Sequence, residues 1–238
     1  IEAACEINLW GNWMGYTTPD AYFDVELEYF AVRSTTGVFD LSPMNKYRIS
    51  GPDAVHFLDR MMTRNMHKLA IDRVAYAVWC NDAGQLMDDG TVFRLAENEY
   101  RLCSYARAND WLHWCSLGFD VTITDETAEV AALAVQGPTS CSTLTAMGLE
   151  GLQELKPFDI RNYSFDGEVL TVSRTGFTGD LGYELWIAPS KAEDLWDRLF
   201  EAGKTFLIKP FGSHALDIAR IETGFVQAGV DFVMAQDL

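Results

Sequence analysis

The chain has 238 residues, of which 48% are apolar and 22% charged, and its net charge is −17. A chain this long buries roughly 70–75% of its unfolded surface, which excludes a disordered segment and a disulfide-stapled mini-fold and fits one large domain or two small ones. The acidic balance is a poor match for the phosphates of nucleic acid or an anionic membrane, and no apolar run approaches the ~20 residues of a membrane helix.

Pro19-Asp20, followed by Tyr22, Val25, Leu27, Tyr29 and Phe30, predicts a helix with proline in its first turn, ended by Gly37. Val38 to Leu41 is extended. Gly51-Pro52-Asp53 opens a second helix, with Ala54, Phe57, Leu58 and Met61 on one stripe. Val74 to Cys80, Gln85 to Leu95 and Tyr100 to Cys103 read as strands joined by the loops Asn81 to Gly84 and Glu97 to Glu99. A helix over 106–117 follows, then strands near Val121 to Thr124 and Val130 to Val135. Gly137-Pro138 restarts a helix that runs through Met147. Arg161 to Phe165 and Glu168 to Ser173 form a hairpin about Asp166-Gly167, and Tyr183 to Ile187 is a further strand. Amphipathic helices over Lys191 to Ala202 and His214 to Gly224 complete the pattern. Hairpins and helices intermingle, which argues for an α+β fold rather than a doubly wound parallel sheet.

The five cysteines are odd in number and never spaced C-x-x-C. Most lie in apolar stretches, which suits buried free thiols in a reducing cytoplasm better than a secreted disulfide framework. The chain begins at Ile1 without a methionine, so its start is not read for targeting. The four histidines are scattered, no metal-ligand spacing is present, and no nucleotide-binding or nucleophile-elbow motif occurs.

Three segments could carry chemistry. In Met87-Asp88-Asp89-Gly90-Thr91-Val92 two carboxylates adjoin within a strand, so alternation turns one of them towards the interior or a cavity. Such a group could do acid–base or cation-stabilising work, or both could cap a hairpin edge in water. In Arg174 to Glu184 three glycines imply a backbone that turns sharply and approaches something closely. There Glu184 either accepts paired N–H donors from a heterocycle or is an exposed residue after a turn. In Arg220-Ile221-Glu222-Thr223-Gly224 the two charges are two apart on a helix and meet different neighbours.

In this order the segments resemble the folate-binding domain of the glycine-cleavage T-protein (aminomethyltransferase) superfamily. The resemblance rests on Ala31-Val32-Arg33, Phe39-Asp40-Leu41-Ser42-x-Met44, Asp88-Asp89, Val135-Gln136-Gly137-Pro138, Thr175 to Glu184, Arg220-x-Glu222-x-Gly224 and Gly229-x-Asp231. It implies two interlocked subdomains with mixed and antiparallel sheets, residues 1–45 with 131–238 and an inserted hairpin-rich 46–130. Folate would lie in the central cavity between them, without the family's C-terminal β domain.

It also implies a tetrahydrofolate-dependent one-carbon transferase, with a non-catalytic folate-binding regulatory or assembly module as the alternative. Asp89 is the implied catalytic residue, orienting the donor and stabilising positive charge. Glu184 would take the pterin's amino edge, and Met44 would line the pterin pocket. Arg101 and Cys103 fall where relatives contact folate, and Arg220 would hold either a folate carboxylate or a structural ion pair. No metal is implied. The implied partners are a small-molecule donor and either a partner protein or the C-terminal domain. Three departures, at Ser42-Pro43-Met44, Ala215-Leu216-Asp217 and Ala228, make the chain more similar to relatives that demethylate amines, sulfonium compounds or aryl ethers.

Overall fold

A computed structural model describes residues 1–238. In chain order the elements are β1 (Leu9–Trp13), β2 (Tyr16–Ala21), α1 (Val25–Ser34), β3 (Gly37–Asp40), β4 (Asn45–Ser50), α2 (Ala54–Met61), β5 (Arg73–Cys80), β6 (Leu86–Ala96), β7 (Glu99–Ser104), α3 (Asn109–Cys115) and β8 (Thr122–Asp125). These are followed by β9 (Ala131–Gln136), α4 (Ser140–Ala146), β10 (Ile160–Phe165), β11 (Glu168–Ser173), β12 (Gly182–Ile187), α5 (Ala192–Gly203), β13 (Lys209–Pro210) and α6 (Ser213–Thr223). The chain divides into two compact units, Ile1–Pro43 with Glu129–Phe225, and Met44–Ala128 with Val226–Leu238. Residues 226–238 therefore belong with the inserted stretch, not with the first unit as the sequence suggested. The helix stops at Gly224 (φ 79°), and the chain beyond it buries Ala228 and Met234 against Ala106.

The first unit is built on a six-stranded sheet in the order β10-β11-β12-β9-β3-β13, antiparallel except for the short β13–β3 pair. One sheet face carries Val38, Leu133, Val135, Val172 and Leu185, packed with Leu144 of α4 and Leu195 and Leu199 of α5. The amphipathic spacing read in α5 thus buries its stripe. The first predicted helix needs correction, because Pro19 lies inside β2, paired with Trp10 of β1. In this two-stranded sheet proline's missing N–H costs no ladder bond with a third strand. The helix begins instead after Asp24, whose side chain accepts the N–H groups of Glu26 and Leu27 at 3.0 Å, an N-cap satisfying two donors that a helix start leaves without partners.

The second unit is an antiparallel sheet in the order β5-β6-β7-β4-β8. Its core face combines Tyr47, Ile49, Ala75, Ala77, Trp79, Val92 and Leu102 with Phe57, Leu58 and Met61 of α2 and Leu112 of α3. The strand β4 is absent from the sequence reading. Its Asn45, Lys46 and Arg48 break the apolar pattern, yet Asn45 and Lys46 are buried, and only the pairing with β7 and β8 shows why a strand forms there. The predicted helix over 106–117 contracts to Asn109–Cys115. All five cysteines are free, and Cys103 alone is fully buried. No helix is long and apolar enough to cross a membrane.

Candidate active site

Cross-strand partners in an antiparallel sheet share a face, so the register assigns each candidate side chain to one. In the second unit Trp79 pairs with Asp88, and Val78 with Asp89. Asp88 therefore lies on the core face and Asp89 on the other, the split that alternation required. Thr91 pairs with Cys103, Phe93 with Arg101, Cys103 with Lys46 and Arg101 with Arg48. Asp89, Cys103 and Arg101 thus occupy one face, opposite the helix-packed core. Met44 stands just before β4 and is half-buried, and its carbonyl accepts the Lys46 ammonium at 2.7 Å.

Asp89 accepts the Tyr76 hydroxyl at 2.6 Å. Burial raises its pKa, and the Tyr76 bond opposes that rise, because a hydrogen bond to the charged form favours it. Asp88 is 3% exposed and accepts the N–H groups of Asp89 (2.8 Å) and Ala106 (3.2 Å). Burial, aided by the neighbouring Asp89 charge, pushes it up to about 6. Arg101 is buried, and its Nε donates to Glu126, which also accepts from Arg48 at 3.1 Å. Tyr76 was not among the residues singled out from the sequence. A hairpin closing on Asn81 to Gln85 sets 78 opposite 89 and brings 76 close on the same face, so the loop length held that signal.

Gly90, directly after the two aspartates, lets β6 and β7 approach. A Cβ there would stand 2.1 Å from the Cys103 carbonyl oxygen, which is backbone and cannot yield. Gly90→Ala is expected to destabilise the protein by about 2 kcal/mol, within the usual cost of overpacking. Urea unfolding measures this, and a midpoint equal to the parent's would contradict it.

In the first unit Glu184 pairs with Ser173 and Ala134, and Trp186 with Thr171 and Ala132. This face lies opposite the one packed on α4 and α5. Glu184 is half-buried, with the Ser173 hydroxyl 3.5 Å from its Oε2. Burial pushes its carboxyl up to about 7, against the opposing effect of the Thr175 and Ser173 hydroxyls. Neither Glu184 nor Asp89 faces a cation within ion-pair distance.

The glycine-rich segment does approach something closely, but that something is the chain itself. A Cβ on Gly176 or Gly182 would fall 2.0 and 2.2 Å from the Gln136 side-chain oxygen. The Gln136 amide accepts the Thr178 hydroxyl at 2.9 Å and donates to the Thr175 and Tyr183 carbonyls. Arg33 donates to the Thr178 and Ala219 carbonyls and pairs with Asp180 and Glu222. Arg220 is 1% exposed, pairs with Asp217 and donates to the Phe225 carbonyl at 3.0 Å. The pair with Asp217 lies within α6 and, with the Phe225 contact, ties down the end of that helix. The motifs at 31–33, 135–138, 175–184 and 220–224 are therefore largely one another's partners. No three His, Cys, Asp or Glu side chains are arranged to hold a metal ion.

These two sheet-and-helix units, one with Asp89 opposite its α2- and α3-packed face and one with Glu184 opposite its α4- and α5-packed face, have the fold of the T-proteins. The solved glycine cleavage system aminomethyltransferase T of Bartonella henselae superposes with a TM-score of 0.85 at 27% identity, covering 97% of this chain and 62% of that one. The chain belongs to the family described as the GCVT N-terminal domain, whose profile matches residues 8–237. It is similar to the aminomethyltransferase of Clostridium botulinum (34% identity, 92% of this chain and 60% of that protein). It is also similar to the trimethylamine-oxide aldolase of Ruegeria pomeroyi (38% identity, 86% of this chain and 27% of that protein). The chain spans about 60% of the length of the curated aminomethyltransferases it matches.

Proposed function

We propose that the chain is the folate-binding, catalytic part of a tetrahydrofolate-dependent one-carbon transferase. The observation that carries the reading is the pair Asp89 and Glu184: each is a partly desolvated carboxylate with no cation partner, on the sheet face opposite the one packed on α2 and α3 or on α4 and α5. Glu184 suits the cofactor. It keeps acceptor capacity beyond the long Ser173 contact, and a carboxylate can receive two parallel N–H bonds from a pterin's amino edge. Tetrahydrofolate, when bound, supplies the nitrogen that receives the carbon.

Asp89 then acts electrostatically: its charge, held by the Tyr76 hydroxyl, stabilises positive charge that develops as the carbon leaves its donor. Met44 and Cys103 are assigned to the cofactor's surroundings. Arg101 and Arg220 act through the ion pairs that hold their own elements in place. The donor is a small amine, sulfonium compound or ether giving up a methyl or aminomethyl group. The trimethylamine-oxide aldolase among the relatives and the departures at Pro43, Leu216 and Ala228 favour a methylated amine over the aminomethyl donor of glycine cleavage.

The test is a titration with tetrahydrofolate, followed by quenching of the seven tryptophans. Saturable quenching supports the reading, and a folded protein that shows none contradicts it. Binding without turnover on any methyl or aminomethyl donor would favour the regulatory module instead.

A further inference from the structure

We propose that the second unit holds a separate binding site for a small methylated ammonium cation, in an aromatic cavity on the core side of its sheet with Asp88 in the wall. The cavity, about 530 Å³, is lined among others by Trp79, Asp88, Trp111, Trp114, Arg107 and Gln236. That volume is in the range of small-ligand pockets. The site lies on the sheet face opposite Asp89 and does not depend on the folate reading.

Three observations point to a cation. The first is the state of Asp88. Its two backbone donors use about half of a carboxylate's acceptor sites, and it takes part in no ion pair. A buried anion left uncompensated is costly, and a cation in the cavity would compensate it. The second is the aromatic wall. Trp79 is the direct cross-strand neighbour of Asp88, while Trp111 and Trp114 are three apart on α3 and so share a side of it. Indole faces attract cations more strongly than any other side-chain ring. The third is Trp114 itself, which is 72% exposed. A large aromatic left in water at the rim of a cavity has area still to bury on a ligand.

The chemistry narrows the cation. A primary ammonium brings three N–H donors that each need an acceptor, and a hard metal ion needs six or more oxygens. Asp88 is the one buried carboxylate of the wall; Asp110, Asn109 and Gln236 also line the cavity but are exposed to water, so its interior meets neither demand. A tertiary or quaternary ammonium donates at most one hydrogen bond and presents methyl groups to the rings. Arg107 is the like charge that faces this site. It is exposed at the rim, where water and salt screen it.

Choline and its neutral carbon isostere, 3,3-dimethyl-1-butanol, differ only in the charge and are the probes of choice. Each is titrated into the protein and followed by tryptophan fluorescence and by saturation transfer to the methyl singlet, at matched ionic strength. Choline should bind saturably and at least about tenfold more tightly than the isostere. Asp88→Asn should weaken choline about tenfold and leave the isostere unchanged. Trp114→Ala, at an exposed position that the fold does not need, should weaken choline several-fold, and it decides the matter if Asp88→Asn does not fold. Absence of saturable choline binding, equal affinity for the two probes, or parental choline affinity in the folded variants would overturn the proposal.

Discussion

Asp89→Asn is expected to lower turnover by about 10²–10³-fold, the usual effect of removing one preorganised electrostatic partner of a developing charge, with little change in stability. An asparagine oxygen can still accept the Tyr76 hydroxyl, which now lies 2.6 Å from Asp89 Oδ2, so the strand loses a charge and not a contact. The measurement is kcat on the best donor found for the parent, alongside thermal unfolding of both proteins. Near-parental turnover would remove Asp89 from the mechanism. Loss of turnover with a collapsed fold would leave the residue structural.

Tyr76 adds a test of sign. Its hydroxyl favours the ionised form of Asp89, so Tyr76→Phe should move the acid limb of the pH–rate profile to higher pH. The Asp89→Asn variant should show no such limb.

Glu184→Gln is expected to weaken tetrahydrofolate binding by about 10–100-fold, since a hydrogen bond to a charged group is worth about 1.5–3 kcal/mol. Burial lifts this carboxyl from 4.5 to about 7, which makes binding and stability depend on pH in opposite directions. The folded state holds the proton between about pH 4.5 and 7 and the unfolded state does not, so stability is greatest below that window and falls as pH rises through it. The ionised carboxylate is the form that accepts two donors, so affinity should rise over the same window. In Glu184→Gln both slopes should flatten. Unfolding midpoints and folate titrations at pH 5.5 and 8 give the two readouts, and a variant that keeps the parent's slopes in both would contradict the assignment.

The sequence exposed the fold unevenly. The 160–173 hairpin, the strands of 73–104 and the helices α2, α5 and α6 are legible because each repeats an apolar period and ends in a turn signal. The first helix was misplaced because Pro19 serves equally well at a helix start or in a two-stranded sheet, and only the pairing of Trp10 with Pro19 separates the two. The strand β4 escaped notice because buried Lys46 and half-buried Arg48 mimic a solvated segment. Their partners, Met44 and Glu126, were not visible as partners without the tertiary fold. Likewise the residues 226–238 carry no composition that says which unit they complete.

The candidate site divides the same way. Strand periodicity alone required Asp88 and Asp89 to part, one inward and one outward, because successive side chains in a strand point to opposite faces. Ordered motifs along the chain sufficed to place it in its family. Three matters lay beyond the sequence: which aspartate faces the core, that the glycines at 176 and 182 make room for the Gln136 side chain, and that Arg220 pairs with Asp217. Each is a contact between residues remote in the chain or set by a local bend. One-dimensional spacing fixes the period of a side chain, whereas its partner is chosen only when sheets and helices are packed.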